Sequence, residues 1–270
     1  MSDRVICTID DGVADVRLNR PDKMNALDPA MFAALDATGE CLKTAPGLRA
    51  VVLSGEGRAF CAGLDFGSFQ AMAGGGPLSE AVPEGNAALI KEGRVTHVGQ
   101  QVSWVWQELP VPVIAAVHGV ALGGGIQIAL GADIRIVAPD VKLSVLEIRW
   151  GLTPDMTGTV ALSRLVRPDV AKELAMTGRI VDGEEAVRIG LATRVSATPY
   201  DDAMALAREI AAKSPAAVRG VKHLLDSART ADVAHQFAEE RRVIGTLIGS
   251  PNQREAVTAY FEKREPVFID

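Results

Sequence analysis

Cysteine, histidine and basic charge are all scarce in this 270-residue chain, and each scarcity removes a class of function. The three cysteines, Cys7, Cys41 and Cys61, are an odd number without metal-ligand spacing, which argues against a disulfide framework and for a reducing compartment. The four histidines (His97, His118, His223 and His235) are scattered along the chain, so no metal site is expected. Lys and Arg number 28 against 34 Asp and Glu, a formal net charge of −6 with a pI near 5.4. With no basic stripe, nucleic-acid binding through phosphate neutralisation has little support, and an anionic ligand has to be met by local groups. Apolar runs are broken by Gly, Pro or charge before the roughly 20 residues that a membrane helix needs. Met1-Ser2-Asp3-Arg4 leads straight into a strand-like alternation with neither a charged n-region nor an apolar h-region. No secretory signal is read there, and the expected address is the cytoplasm.

What is present is a globular composition, 48% hydrophobic and 23% charged, with a mean hydropathy of +0.15. The length gives a prior of one to two domains. Slight apolarity in a chain of this size leaves apolar surface for subunit contacts, so an oligomer is expected.

Two alternating runs, residues 4–9 and 13–18, flank Asp10-Asp11-Gly12, which predicts a hairpin. Asp28-Pro29 offers an N-cap followed by proline at the first helical position, opening a helix through about Lys43. Residues 50–54, 112–117 and 132–138 read as strands separated by helical or Gly-rich connectors, an α/β pattern with crossovers. Residues 66–95 are the least periodic part of the chain and predict a mobile loop lining a pocket. From Gly158 onward the pattern is helical, with Pro168, Pro215 and Pro251 near helix starts and Ser214 and Ser250 as caps of the last two.

Two glycine-bearing segments stand where chemistry is expected: AFCAGLD at 59–65 and VHGVALGGGIQIAL at 117–130. Each follows a strand and leads toward a helix, whose start presents unpaired N–H groups and the positive end of a dipole. Gly123-Gly124-Gly125 lets the backbone approach a developing oxyanion closely. The segment lacks the G-x-G-x-x-G spacing of a dinucleotide site and the Gly-Lys-Ser/Thr of a P-loop. Packing alone is the other explanation of a triple glycine.

In combination the motifs are specific. LNRPDKMNALD (18–28), AFCAGLD (59–65), VHGVALGGG (117–125), GADIRI (131–136), LEIRWGLTPDMTG (146–158), MTGRIVDGEEAVRIGLATRV (176–195) and EKREPVF (262–268) resemble the crotonase, or enoyl-CoA hydratase/isomerase, family over nearly the whole chain. The resemblance implies an α/β spiral of ββα turns, residues 1–199, carrying an acyl-CoA site. It also implies a helical C-terminal region, residues 200–270, that assembles homotrimers or dimers of trimers. It implies an acyl-CoA thioester of fatty acid metabolism as substrate, with no cofactor beyond the coenzyme A of the substrate itself. The thioester oxygen would lie between the backbone N–H groups of Leu64 and Gly124. Lys23, Met24, Ala62, Asp65, Gly123 and Lys263 fall at places where the family contacts coenzyme A; as surface residues, Lys23 and Lys263 also have a plain solvated explanation.

The acid/base residues separate the family's reactions. Hydratases flank the substrate with two glutamates, at positions held here by Gln127 and Glu147. Glutamine hydrogen-bonds water but exchanges no proton at neutral pH, whereas one carboxylate suffices to carry a proton between two carbons. Isomerisation is therefore favoured over hydration, with Glu147 as the base. Asp155 stands where dienoyl-CoA isomerases and aryl-CoA dehalogenases carry aspartate, which makes it a possible second acid; an N-cap for the following helix is its structural alternative. A catalytically reduced CoA-binding scaffold, or a dehalogenase or hydrolase with Asp155 as nucleophile, are the rival functions. Cys61 and His118 read as structural, one of Trp104 and Trp106 as core, and Trp150 as a wall that desolvates Glu147.

Overall fold

A computed structural model describes residues 4–65, Gly67 and residues 90–270; the expected loop at 66–95 lies almost wholly outside the described residues. The hairpin forms from β1 (Val5–Asp10) and β2 (Val13–Leu18), paired antiparallel. Its two-residue turn is closed by Asp11 at φ 46° and Gly12 at φ 78°, the left-handed pair that matches strand twist. α1 (Pro29–Lys43) starts where expected, with the Asp28 side chain accepting from the Met31 N–H. β3 (Ala50–Gly55), β4 (Val113–Val117), β6 (Ile134–Val137) and β8 (Arg194–Val195) then add in parallel, giving the order β1-β2-β3-β4-β6-β8.

Both faces of this sheet are covered, and the alternation along each strand records it. Val51 and Leu53 of β3, with Val113, Ala115 and Val117 of β4, point into the larger core beside Met31 and Leu35 of α1 and Val102, Val105 and Trp106 of α2 (Val98–Glu108). Ala50, Val52, Ile114 and Ala116 point the other way, onto Ala203, Ala207 and Ala211 of α7 (Pro199–Ala211). Alanine at every fourth position gives α7 a flat stripe that seats close on the strands. The helix beginning at the expected 199/200 boundary is thus a layer of the sheet, and the helices standing off the sheet begin with α8 (Pro215–Ser227).

A second, two-stranded parallel sheet pairs β5 (Val120–Leu122) with β7 (Lys142–Ser144). Bridges from Cys61 to Ala121 and from Leu143 to Val181 widen it on both sides. Each winding of the chain places one strand in the large sheet and the next in the small one. β4, β5 and α3 (Gly124–Leu130) form one such ββα turn, the unit that the resemblance implies. α4 (Gly158–Leu165), α5 (Pro168–Thr177) and α6 (Gly183–Ile189) follow.

α8 is pinned to the body by Lys222, buried, whose Nζ donates to Asp133 Oδ2 at 2.8 Å and to the carbonyls of Val111 and Trp106 at 3.0 and 3.3 Å. α9 (Val233–Leu247) and α10 (Pro251–Glu262) complete the chain. Of the two expected serine caps, Ser250 accepts from the Gln253 N–H. Ser214 does not cap α8 with its side chain: at φ −57°, ψ 116° it holds the N-cap position without that bond. The last residues return to the start of β3, where Arg49 Nη2 donates to the Phe268 carbonyl at 3.1 Å. No described helix is long and apolar enough to cross a membrane.

Candidate active site

Residues 61–65 run between two other segments, and this placement builds the site. On one side Ala62 N–H donates to the Met24 carbonyl at 2.9 Å, Leu27 N–H to Gly63 at 2.8 Å, and Asp65 N–H to Leu27 at 3.0 Å. On the other, Cys61 N–H donates to Val120 and the Cys61 carbonyl accepts from Leu122. Because Leu27 bonds to the peptide groups on either side of Leu64, the alternation of an extended chain turns the Leu64 N–H away from Leu27 and toward the 122–124 segment. It donates to no backbone carbonyl among the described residues.

Gly124 opens α3, so its N–H is one of the unpartnered groups of a helix start. Gly123 before it has φ 53°, ψ −121°, a conformation for glycine alone. A Cβ at Gly63 would lie 2.6 Å from the Leu122 carbonyl and 3.7 Å from Gly124 N; one at Gly125 would lie 2.3 Å from the Cys61 carbonyl. The two glycine segments therefore touch backbone to backbone.

Glu147 begins the 3-10 turn Glu147–Trp150 that follows β7. Its Oε1 would lie 3.6 Å from a Cβ on Gly123, which sets the carboxylate against the triple-glycine turn. Gln127, on α3 and fully buried, holds that carboxylate. Its Nε2 donates to Glu147 Oε1 at 2.5 Å, while its Oε1 accepts from Met156 N and Gly158 N, both at 2.9 Å. The two donors flank Thr157 at φ 71°, a strained conformation for a β-branched residue that makes a small anion-type nest from two backbone N–H groups. Glu147 Oε2 is buried with no hydrogen-bond partner among the described residues. Burial pushes the Glu147 carboxyl above its usual range and the nearby Asp155 charge adds to this, while the Gln127 amide opposes it.

Asp155 is exposed, and it is not an N-cap: α4 starts at Gly158 behind Thr157, which makes no side-chain cap. Asp65 accepts from Arg20 Nη1 at 2.8 Å and from Gly67 N at 2.8 Å, and these bonds hold its carboxyl below the usual range. Lys23 and Met24 lie on the adjoining turn, whose residue Asn25 (φ 56°) ties itself to Ala59 and Glu56 through Nδ2 at 2.8 and 3.0 Å. Arg20 and Asn25 lie within the quoted LNRPDKMNALD motif, and only the contacts reveal that they hold its loop against residues 56–65. Lys263 stands apart, as the left-handed C-cap of α10; among the described residues no hydrogen bond or ion pair joins it to residues 20–27 or 61–65.

Cys61 is buried, with Sγ 3.1 Å from the Asn25 carbonyl, and burial pushes its thiol up to about 12. His118 Nε2 bonds to the Gly57 carbonyl at 2.9 Å. Trp106 is the buried member of its pair, and Trp150 is 47% exposed. Among the described residues no three His, Cys, Asp or Glu side chains converge as a metal site would require.

The family model described as enoyl-CoA hydratase/isomerase matches residues 8–270. The chain belongs to this family. The crotonyl-CoA hydratase of Syntrophomonas wolfei is 30% identical over 271 residues, covering 99% of this chain and 98% of that protein. The (E)-benzylidenesuccinyl-CoA hydratase of Thauera aromatica is 31% identical over 269 residues, 98% of each. The crystal structure of an enoyl-CoA hydratase from Mycobacterium smegmatis superposes with a TM-score of 0.81 at 32% identity, covering 98% of both chains. The crotonase fold is therefore shared along the whole described chain, and acyl-CoA thioesters are the substrate class of the family to which it belongs.

Proposed function

We propose that this crotonase moves the double bond of an enoyl-CoA, with Glu147 as the only proton-carrying side chain. The thioester oxygen is seated between the N–H groups of Leu64 and Gly124. Glu147 Oε2 removes a proton from the carbon beside the thioester of a 3-enoyl-CoA, and the electron pair passes to that oxygen as the enolate. The same oxygen atom of Glu147 returns the proton two carbons further along, leaving the 2-enoyl-CoA. Each backbone donor is worth about 2.7–4 kcal/mol to such a transition state. Asp65 and Lys23, Met24, Ala62 and Gly123 line the expected coenzyme A path in this reading, with Lys263 delivered from elsewhere in the assembly. That assembly, a homotrimer or a dimer of trimers, is part of the proposal.

One observation carries it: Gln127 is committed three times over, to Met156, Gly158 and Glu147. It has no proton to exchange and no lone pair directed at a second water site, whereas Glu147 keeps one oxygen unbonded and desolvated. Hydration is the second reading, supported by the hydratase names of the relatives and by an Asp155 charge close enough to act on Glu147.

The two separate on purified protein given crotonyl-CoA and 3-enoyl-CoA. Double-bond migration without a mass gain, lost in Glu147→Gln, is the expected result. Addition of one water to crotonyl-CoA at a comparable rate would replace isomerisation by hydration with Asp155 as second acid.

A further inference from the structure

A cavity of about 450 Å³ opens beside Asp155, and five of its lining residues are polar: His97, Gln100, Asp155, Thr157 and Thr159. This volume is in the range of a small-molecule site, and its wall combines apolar Ile90, Pro154 and Val160 with those polar groups. We infer that it receives the distal part of an acyl group bearing a neutral hydroxyl, an inference that rests on the acyl-CoA reading of the adjoining site.

The cavity joins that site through consecutive residues. Met156, next to Asp155, gives its N–H to Gln127 and lays its sulfur 2.9 Å from the Cβ position of Gly124. The Asp155 charge is also felt by Glu147. The segment Asp155–Thr157 thus borders both the Gly124 peptide and the cavity, and in this inference an acyl chain seated at Gly124 extends along it to the wall.

The hydrogen-bonding character of the wall follows from bonds already made. His97 caps α2 with Nδ1 accepting from Gly99 N–H at 3.0 Å; that ring nitrogen supplies a lone pair, and the ring proton of the neutral imidazole is then on Nε2. Gln100 closes the capping box by accepting the His97 N–H on Oε1 at 3.3 Å, which leaves its NH2 as donor. Asp155 only accepts, and no hydrogen bond or ion pair engages it among the described residues. Donors on one element therefore face an acceptor on another.

A hydroxyl is both donor and acceptor and satisfies the two together. A plain alkyl tail strips water from these groups and returns nothing. A carboxylate is repelled by Asp155, and among the described residues no Lys or Arg lines the cavity to offset that charge.

The test is equilibrium binding to the full-length protein by calorimetry, using saturated thioesters that cannot turn over: butanoyl-, hexanoyl- and octanoyl-CoA, each against its terminally hydroxylated counterpart. We expect one chain length at which the hydroxylated thioester binds about tenfold tighter or better, the scale of one well-made hydrogen bond. In Asp155→Leu, which removes the acceptor of the pair, that preference falls to about equal. Asp155 is exposed and caps no helix, so folding of the variant is checked by an unchanged Tm. Equal or weaker binding of the hydroxylated series at every length overturns the inference while leaving the acyl-CoA reading intact. Binding of neither series overturns both. A preference that survives in Asp155→Leu assigns it to another wall and overturns this one.

Discussion

Glu147 has one oxygen held and one free. Gln127 Nε2 fixes Oε1, so the carboxylate is held against the triple-glycine turn, and Oε2 is left without a partner among the described residues. Removing water from that oxygen raises the pKa and makes the group a base suited to an acidic carbon. The folded protein keeps this proton to a higher pH than the unfolded chain. The group's contribution to stability is thus complete below the unfolded pKa and is lost as pH rises through the folded one. Glu147→Gln is therefore expected to lower turnover about 10²–10⁴-fold and to raise Tm at neutral pH. Calorimetric scans at descending pH should show the Tm gap closing as wild-type Glu147 takes up its proton.

Gln127→Glu probes the same pair from the other side. The nest at Met156 and Gly158 accepts a carboxylate oxygen as readily as an amide oxygen, but the second oxygen then meets Glu147 Oε1 where an N–H had been. Two carboxylates at that separation share a proton. The acidic limb of the pH–kcat profile should move upward, and hydration of crotonyl-CoA should appear or increase. An unmoved limb would mean that Gln127 does not set the Glu147 environment.

At the scale of elements, the site depends on two strand-to-helix turns being allowed to touch. Gly125 has no room for a methyl group, since its Cβ would fall 2.3 Å from the Cys61 carbonyl and 2.9 Å from Cys61 Cβ. Gly125→Ala has to separate α3 from the 59–65 segment, moving the Gly124 N–H away from Leu64. The expected cost is about 1–3 kcal/mol of stability, as for other overpacked positions, with a larger loss in kcat than in affinity for a saturated acyl-CoA. Urea denaturation and isothermal titration separate the two. On the opposite face of the sheet, Ala207→Leu wedges α7 away from Ile114 and Val52. It should lower stability by a similar amount, about 1–3 kcal/mol, while leaving the pH profile of turnover in place.

At the scale of the whole molecule, the helices beyond the sheet present Val221, Leu225, Phe237, Ile244, Ile248, Tyr260 and Phe261 at 50–78% exposure. These side chains are where the subunits of the proposed trimer would meet. Light scattering should give three or six times the chain mass for the wild type. The pair Leu225→Asp and Phe237→Asp, on the contacting helices α8 and α9, should give a smaller species; an unchanged mass would place the subunit contact elsewhere.

The sequence by itself determined whatever depends on neighbours along the chain. The Asp-Asp-Gly hairpin, the Asp28-Pro29 start of α1, the strand at 50–54, and the helix after the triple glycine all follow from local turn chemistry and alternation. The ordered motifs were enough to mark the family. Tertiary structure alone decided which groups meet. Gln127 is legible in sequence only as a missing carboxylate. Its three bonds come from α3, the turn after β7 and the nest before α4, segments separated by up to 31 residues. α7 belongs to the sheet because its alanine stripe fits strands far away in the chain, a match that no helical period announces. Asp155 is freed from capping because Thr157 takes a left-handed conformation that a β-branched residue avoids on local grounds. His97 and Gln100 gained their place in a cavity only when α2 was laid beside residues 154–160. Hydrogen bonds between distant segments exist only once packing has brought them together, so the chemistry of this site was decided by the fold rather than by any stretch of its sequence.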